Sequence, residues 1–466
     1  MIMRHTEPRT PGAGEARHSP SRRRWLSGAW AGALGAVTIL TSVGAAQDAQ
    51  AQRARWWETL PGFSAPRETE RAPRAREPDG QRARDASDLR TDPMPFRSAE
   101  MLELMERAAS RYQQIVAAGG WRPIPAGPML REGDIEGRVA FVRSRLIREG
   151  FLPVPRDGQV STAFDGGLRA AIMRFQSRYG LRATGRIDRV TLASLNVSAT
   201  NRLAQIRVNL VRLRELMARP QEPRYVLVNI PAFQLEAVTG GAVQLRHRVI
   251  VGKPDRQTPS IIVTIRGVNF FPYWRVPDSV AHLDLIPRLK KDPEYLEREH
   301  IRVLRAWGGE EIDARSVDWS HPDAKALKFR QEPGRWNALG LVRIDMPNEH
   351  IVYMHDTPLK TLFGQRGRAF SAGCVRVEGV FDLVKWILSG ESGWDDPRTV
   401  DQVLATGEAQ DVKLAQPIPV YFTYLTAWAN RDGSVDFRAD IYGRDGVKDL
   451  LAGYERPTGS GDGIAP

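Results

Sequence analysis

The spacing of apolar residues changes once along this chain, and that change limits its architecture more than any other feature. From Ala99 to Ala218 apolar side chains recur every three or four residues, the period of a helix with one buried face; from Tyr225 onward they alternate, the period of a strand. Helices and strands that are segregated along a sequence do not build alternating βαβ units, so the chain is read as a multidomain α+β protein. With 466 residues there is room for about two to four domains. A content of 42% hydrophobic and 26% charged residues excludes a wholly disordered, collagen-like or multi-span membrane protein.

The helical half divides at its turn residues. Leu102, Met105, Ala109 and Tyr112 mark a helix over Ala99–Ala117, and the glycines and prolines from Gly119 to Pro125 end it. Residues 99–134 are therefore read as a helical scaffold segment. Residues 135–198 carry three short helical patterns, the middle one with Leu168, Ile172, Phe175 and Tyr179 on one face. A further helix over Asn201–Ala218 lies in a linker assigned to 199–222 and stops before Pro220 and Pro223.

The strand-rich unit is assigned to 223–450. Its early strands are predicted at Tyr225–Ile230, Phe233–Val238, Arg246–Val251 and Ile261–Ile265, with a hairpin turn at Gly240-Gly241. Later ones are expected at Leu341–Met346, Ile351–Met354, Ile418–Thr423 and Val435–Ala439, with a helix at Val380–Leu388. About 273–340 is too long and too rich in charge, Pro and Trp for a plain connection, and is read as an inserted subdomain.

The two ends differ from the middle. Residues 1–46 have the three-part form of a secretory signal: a basic start ending in Arg22-Arg23-Arg24, an apolar run, and small residues at Val43 and Ala45. The paired arginines also fit the twin-arginine export signal, and a retained anchor helix is the alternative. Residues 47–98 are crowded with Arg, Pro, Glu and Asp and are expected to be a disordered spacer, as is the tail at 451–466. The net charge of +12 suits polyanionic partners such as nucleic acid, a membrane surface or an acidic wall polymer, without choosing among them.

Chemistry concentrates in Tyr353-Met354-His355-Asp356-Thr357-Pro358 and Phe370-Ser371-Ala372-Gly373-Cys374-Val375-Arg376. Cys374 is the only cysteine, so neither an intrachain disulfide nor a cysteine-rich zinc site can form. A thiol becomes a nucleophile when an imidazole takes its proton or when the two rest as an ion pair, and an adjacent glycine lets backbone N–H groups approach an oxyanion. His355, Cys374 and Gly373 supply those parts. No glycine-rich phosphate loop is present and the other histidines lack metal-ligand spacing, so no metal and no cofactor are called.

The ordered set His355, Ser371, Gly373, Cys374 and Arg376 resembles the H…S-x-G-C-x-R signature of the L,D-transpeptidase catalytic domain, the YkuD family. Ala170 through Gln176, with Gly180-Leu181, Thr184-Gly185, Ile187-Asp188 and Thr191-Leu192, resembles the peptidoglycan-binding domain, a three-helix module. Asn229 to Phe233, Val251-Gly252-Lys253, Thr258-Pro259, Asn269-Phe270 with Tyr273-Trp274, and Pro333 to Gly340 are similar to the large periplasmic subfamily typified by YcbB, which carries a capping insertion. Position 372 is Ala where many smaller members have His.

The resemblance implies a β-rich catalytic domain with an inserted capping subdomain, preceded by the scaffold and the binding module. It implies an exported, periplasmic enzyme that joins peptidoglycan stem peptides by 3-3 cross-links through a thioester on Cys374. In that mechanism His355 is the base, and the N–H groups of Gly373 and Cys374 bind the oxyanion. Arg376, Ser371, Tyr353, Trp274 and Asn337 are assigned to substrate binding. Carbapenem-type inhibitors are expected to react, nucleic acid is not a partner, and the membrane is met only through an uncleaved signal. Carboxypeptidase activity, anchoring of a wall protein, and a non-catalytic wall-binding scaffold are the alternatives.

Overall fold

The computed structural model describes residues 89–448. The signal, most of the spacer and the tail at 451–466 lie outside the described residues, and no helix among those described is long and apolar enough to cross a membrane.

Five helices open the structure: α1 (Ala99–Ala117), α2 (Gly137–Glu149), α3 (Gly166–Arg178), α4 (Arg189–Asn196) and α5 (Ala199–Met217). Four of them start on a side-chain cap that accepts an N–H of the first turn: Ser98, Asp165, Asp188 and Ser198. Each cap is worth about 1 kcal/mol of helix stability. Phe96, Met105, Leu146, Phe175 and Leu213 share one core, so scaffold and three-helix module pack as a unit. That core also takes Met94 and Phe96, with Phe96 edge-on to Trp428 at 5.1 Å. Residues 89–98 are thus packed chain, unlike the disordered spacer expected up to 98, because Met94 and Phe96 supply the apolar surface that the Arg-rich stretch before them lacks.

The strand-rich half forms β1 (Arg224–Asn229), β2 (Gln234–Thr239), β3 (Ala242–Gly252), β4 (Ile262–Phe270), β5 (Trp274–Arg275), β6 (Ile301–Leu304), β7 (Glu311–Ile312), β8 (Lys328–Gln331), β9 (Val342–Asp345), β10 (Met354–His355), β11 (Ala369–Ser371), β12 (Val375–Val377), β13 (Gln410–Thr423), β14 (Ala427–Ala429) and β15 (Val435–Phe437). Nine of them make one sheet in the order β11-β3-β12-β10-β9-β4-β13-β1-β2, and a further β2–β3 pairing closes it on itself. Gly240 and Gly241, both at positive φ, turn the β2–β3 hairpin as expected. Helix α6 (Val380–Leu388) covers the sheet with Val380, Leu383, Val384 and Ile387 in its core.

The insertion has a core of its own, built on Trp274, Leu289, Tyr295, Trp319 and Phe329, and its own sheet in the order β5-β8-β6-β7. Two expected strands differ from those found. The stretch Ile351–Met354 reduces to β10, because the Asn348 side chain binds the Met346 and Val352 carbonyls and accepts from the His350 and Val352 N–H groups, making a turn instead. Strand β15 pairs with β14 rather than with the large sheet, since Trp428 and Phe437 bury themselves among the helices.

Candidate active site

Alternation along two short strands builds the site. Strands β10 and β12 run parallel, with Met354 opposite Val375 and His355 opposite Arg376. Met354 and Val375 point into the sheet's apolar core. By the two-residue period Tyr353, His355, Cys374 and Arg376 share the other face, toward the insertion, whose core Tyr353 and Ala372 touch. Next across the sheet Arg343 of β9 stands opposite His355, and Asn269 of β4 opposite Arg343.

His355 is fully buried and its Nδ1 lies 2.5 Å from the Asp356 carbonyl. A carbonyl only accepts, so Nδ1 carries the proton and Nε2 is left with its lone pair. Nε2 is buried and has no hydrogen-bond partner among the described residues. Burial first, then the Arg376 charge, pushes the imidazole down to about 3, which keeps it neutral. The Cys374 thiol is partly exposed, and its closest acceptor is the Ile351 carbonyl at 3.9 Å. Burial pushes the thiol up to about 11 despite hydrogen bonds from Tyr353 and the nearby Arg376 and Arg343 charges. Burial thus favours a neutral thiol beside a neutral imidazole, the form in which Nε2 is a proton acceptor in waiting.

The backbone at the nucleophile is held from three sides. Gly373 adopts φ of +122°, a conformation a side chain would oppose. Ser371 Oγ donates to the Cys374 carbonyl at 2.5 Å and accepts the Gly373 N–H at 3.2 Å. Thr258, fully buried, accepts the Gly252 N–H and donates its hydroxyl to the Gly373 carbonyl, both at 2.8 Å. In a trans peptide the C=O and the following N–H point in opposite directions. Fixing the Gly373 carbonyl therefore aims the Cys374 N–H away from Thr258, and no acceptor for it is found among the described residues.

These contacts revise several expected roles. Gly373 N–H is engaged by Ser371, so of the two it is the Cys374 N–H that is left without an acceptor among the described residues. Ser371 is fully buried in the turn and Asn337 is fully buried within the insertion, where its amide binds the Pro272 and Glu332 carbonyls, so neither is presented to a substrate. Trp274 lies inside the insertion's core, against the hydroxyl of Tyr353. Arg376 is fully buried, and its charge bears on Cys374 and His355. Tyr353 alone of the five is half-exposed beside the thiol.

Other parts carry no motif. Arg343 lies over the Tyr353 ring at 5.6 Å and is held by Asn269 and Asp345. The loop that presents Thr258 is braced by the Tyr442 hydroxyl, which bonds Gly252 and Thr258, and by Arg444 on Gln257. Arg256 in the same loop grips Asp284 of the insertion at 2.6 and 3.0 Å. Arg343 comes to the site through the pairing of β9 with β10 and Tyr442 through loop packing, and nothing local in the sequence points to either. Ile351, 72% exposed beside the thiol, sits at φ +54°, a strained state for a β-branched residue.

Comparison with known proteins follows the same division. Residues 223–401 match the family model described as "L,D-transpeptidase catalytic domain", YkuD, and residues 136–195 match the one described as "Putative peptidoglycan binding domain". A curated relative from Haemophilus influenzae, named "Putative L,D-transpeptidase", is 35% identical over 247 residues, 53% of this chain and 49% of the relative, so the chain spans about half the length of that relative. Among solved structures, an L,D-transpeptidase (Yku) from Stackebrandtia nassauensis is 13% identical, covering 67% of this chain and 100% of that one with a TM-score of 0.24. An L,D-transpeptidase from Xylanimonas cellulosilytica is 12% identical, covering 64% and 99% with a TM-score of 0.18.

Proposed function

We propose that this chain, which carries a YkuD L,D-transpeptidase catalytic domain behind a peptidoglycan-binding domain, is an exported, periplasmic enzyme that forms 3-3 cross-links between peptidoglycan stem peptides through a thioester on Cys374. The observation that carries the reading is the unpartnered lone pair of His355 Nε2 on the same sheet face as the partly exposed thiol. In the first half-reaction Nε2 takes the thiol proton as Sγ bonds to the carbonyl before the donor's terminal D-residue. The oxyanion forms toward the Cys374 N–H, with the Arg376 charge behind it. Collapse breaks the C–N bond, and His355 returns the proton to the departing D-amino acid's amine. In the second half-reaction an acceptor amine gives its proton to Nε2 and attacks the thioester, and the thiol leaves with that proton.

A diaminopimelate side-chain amine as acceptor gives the 3-3 link; water gives a trimmed stem, the carboxypeptidase outcome, and a lipoprotein lysine gives anchoring. The insertion, packed on Tyr353 and Ala372 and tied by Arg256–Asp284, is assigned to covering the thioester against water. Mass spectrometry of muropeptides after incubation with the purified protein tests the reading. Cross-linked dimers lacking the donor's terminal residue support it, trimmed monomers alone reduce it to hydrolysis, and unchanged muropeptides with no carbapenem adduct on Cys374 leave a wall-binding scaffold.

A further inference from the structure

Residues 438–448, which follow β15, are bonded on one side to helix α5 and on the other to the loop that presents Thr258. On the helix side Arg212 donates to the Tyr424 carbonyl at 2.9 Å, to the Arg444 carbonyl at 2.7 Å and to the buried Asp445 carboxylate. Asn209, in the turn before it, donates to the Thr426 hydroxyl at 2.8 Å, which donates in turn to the second Asp445 oxygen at 2.6 Å. Leu210 and Leu213 of the same helix lie in the core of the helical half. The segment itself is stiff. Buried Asp440 accepts the Arg444 and Asp445 N–H groups, both at 2.8 Å, and the Tyr424 hydroxyl at 2.7 Å; that hydroxyl accepts the Tyr442 N–H.

On the other side the Tyr442 hydroxyl donates to the Gly252 carbonyl and accepts the Thr258 N–H at 3.2 Å. Arg444 beside it donates to the Gln257 side chain at 2.6 Å and to the Ser260 hydroxyl at 2.8 Å. Gly252 and Thr258 are the residues already bonded to each other, and Thr258 holds the Gly373 carbonyl. Two hydrogen bonds and one peptide plane therefore stand between the Tyr442 oxygen and the Cys374 N–H. The loop has little slack, because a Cβ on Gly252 would run into the Arg256 carbonyl. Tyr442 makes no hydrogen bond of its own to residues 371–376 among the described residues.

We propose that Tyr442 is a positioning residue for acyl transfer and that Arg212 of α5 acts through it, so that the seating of the helical half sets the aim of the Cys374 N–H. The proposal rests on the transpeptidase reading, in which the oxyanion forms toward that N–H. A hydrogen bond weakens steeply as its angle closes, so a donor of this kind works by direction, and a small turn of the Gly373–Cys374 plane is enough to spoil it. The plane is held at its carbonyl by Thr258, and Thr258 is held at its N–H by Tyr442. A small inhibitor that has no use for the helical half is then still sensitive to how that half is seated.

The test follows carbapenem acylation of Cys374 in the full chain by rapid quench and intact-protein mass spectrometry. Varying the drug concentration gives a maximal rate, taken per folded molecule from thermal melts, and a half-saturating concentration. Tyr442→Phe keeps the ring stacked on Tyr424 at 5.5 Å and removes the hydroxyl. Its maximal rate should fall by about fivefold, short of the roughly 10²–10³-fold for outright loss of an oxyanion donor, with the half-saturating concentration within about twofold of wild type. Arg212→Gln should cost about threefold, and the double variant should be no slower than Tyr442→Phe, because the two act in series. Tyr421→Phe, which loses a hydroxyl bond to Glu222 at 2.7 Å, is the control and should match wild type. A wild-type maximal rate in Tyr442→Phe, losses that multiply in the double variant, or an equal loss in Tyr421→Phe overturns the proposal and leaves the transpeptidase reading standing. Should Tyr442→Phe not fold, a wild-type rate in Arg212→Gln overturns it alone. No adduct on wild-type Cys374 overturns the reading and the proposal with it.

Discussion

Two buried polar clusters in this molecule each set an arginine near a buried acceptor, and they differ in whether that acceptor's lone pairs are filled. In the helical module Glu149, 5% exposed, receives Arg145 at 2.6 Å, the Tyr112 hydroxyl at 2.7 Å and the Tyr179 hydroxyl at 2.7 Å, while the Arg145 guanidinium also lies 3.4 Å from the Trp121 ring centroid. Burial alone would push the Glu149 carboxyl up; Arg145 and the two phenols outweigh it and hold it below the usual carboxylate range. On the thiol face His355 Nε2 and the Cys374 N–H have no hydrogen-bond partner among the described residues, and burial pushes the imidazole down and the thiol up, toward their neutral forms. The Glu149 oxygens are all met, although Arg145 Nη1 and Nη2 make no well-formed hydrogen bond among the described residues, and this filled carboxylate holds elements together. A buried polar group left open, at a cost in stability, is available for chemistry. What separates the two clusters is the acceptor: the Glu149 carboxylate is filled, and the His355 Nε2 lone pair is open.

The largest expected effect breaks the open cluster at its nucleophile. Cys374→Ala should abolish carbapenem adduct formation, read by intact-protein mass spectrometry, with melting temperature unchanged within about 2 °C, since a partly exposed side chain loses few contacts. An adduct on the Cys374→Ala protein would remove the thiol from the mechanism.

The second effect tests the neutral resting pair. With the imidazole at about 3 and the thiol at about 11, both groups keep the required forms throughout the neutral range, so acylation should be flat from about pH 5 to 9. His355→Ala should slow it by about 10²–10⁴-fold, and the residual rate should climb tenfold per pH unit as thiolate replaces the missing base. A bell centred near neutrality in the wild-type protein would mean the pair rests ionised.

On the cluster with the filled carboxylate the expected effect moves to stability. Glu149→Ala leaves Arg145 buried without its carboxylate and should destabilise the protein by about 3–5 kcal/mol in urea unfolding at neutral pH. Because the Glu149 pKa is lowered on folding, its contribution is fully present above the ordinary carboxylate value and fades as pH falls through the folded one, so the variant and wild type should converge in acid. Acylation per folded molecule should not change. A slower reaction in fully folded Glu149→Ala would show that the two clusters are coupled.

Sequence legibility divides along the same line. The helices and the β2–β3 hairpin could be read because local rules set them: caps at Ser98 and Ser198, the stripe on α3, and a turn needing positive φ twice. Cys374 and His355 were legible because a lone thiol and an ordered motif are rare. What surrounds them was not. Ser371 and Asn337 read as substrate contacts since serine and asparagine bind either backbone or ligand, and only the fold shows that their bonds are spent internally. Arg343, Tyr442 and Arg256 reach the site from strands and loops distant in sequence, and no local pattern encodes a pairing that depends on strand order.

The smallest expected effect concerns Thr258, which belongs to both categories: its own bonds are filled, yet what it fixes is open. Its hydroxyl accepts from Gly252 and donates to the Gly373 carbonyl, and through the rigid peptide plane it sets the direction of the Cys374 N–H. Thr258→Val keeps the shape and removes both hydrogen bonds, leaving one buried N–H and one buried carbonyl short of a partner, a penalty of about 1–3 kcal/mol for each group left unmet. If Thr258 were only structural, that loss would appear in the melting temperature and spare the rate of the folded enzyme. If it aims the oxyanion donor, acylation should fall by about tenfold with the flat pH profile retained, because the base is untouched and only the geometry loosens. Thr258→Ser restores the hydroxyl without the methyl and should recover most of the rate. Recovery of stability without recovery of rate would show that the methyl group, through packing of the Lys253–Gln257 loop, positions the nucleophile instead.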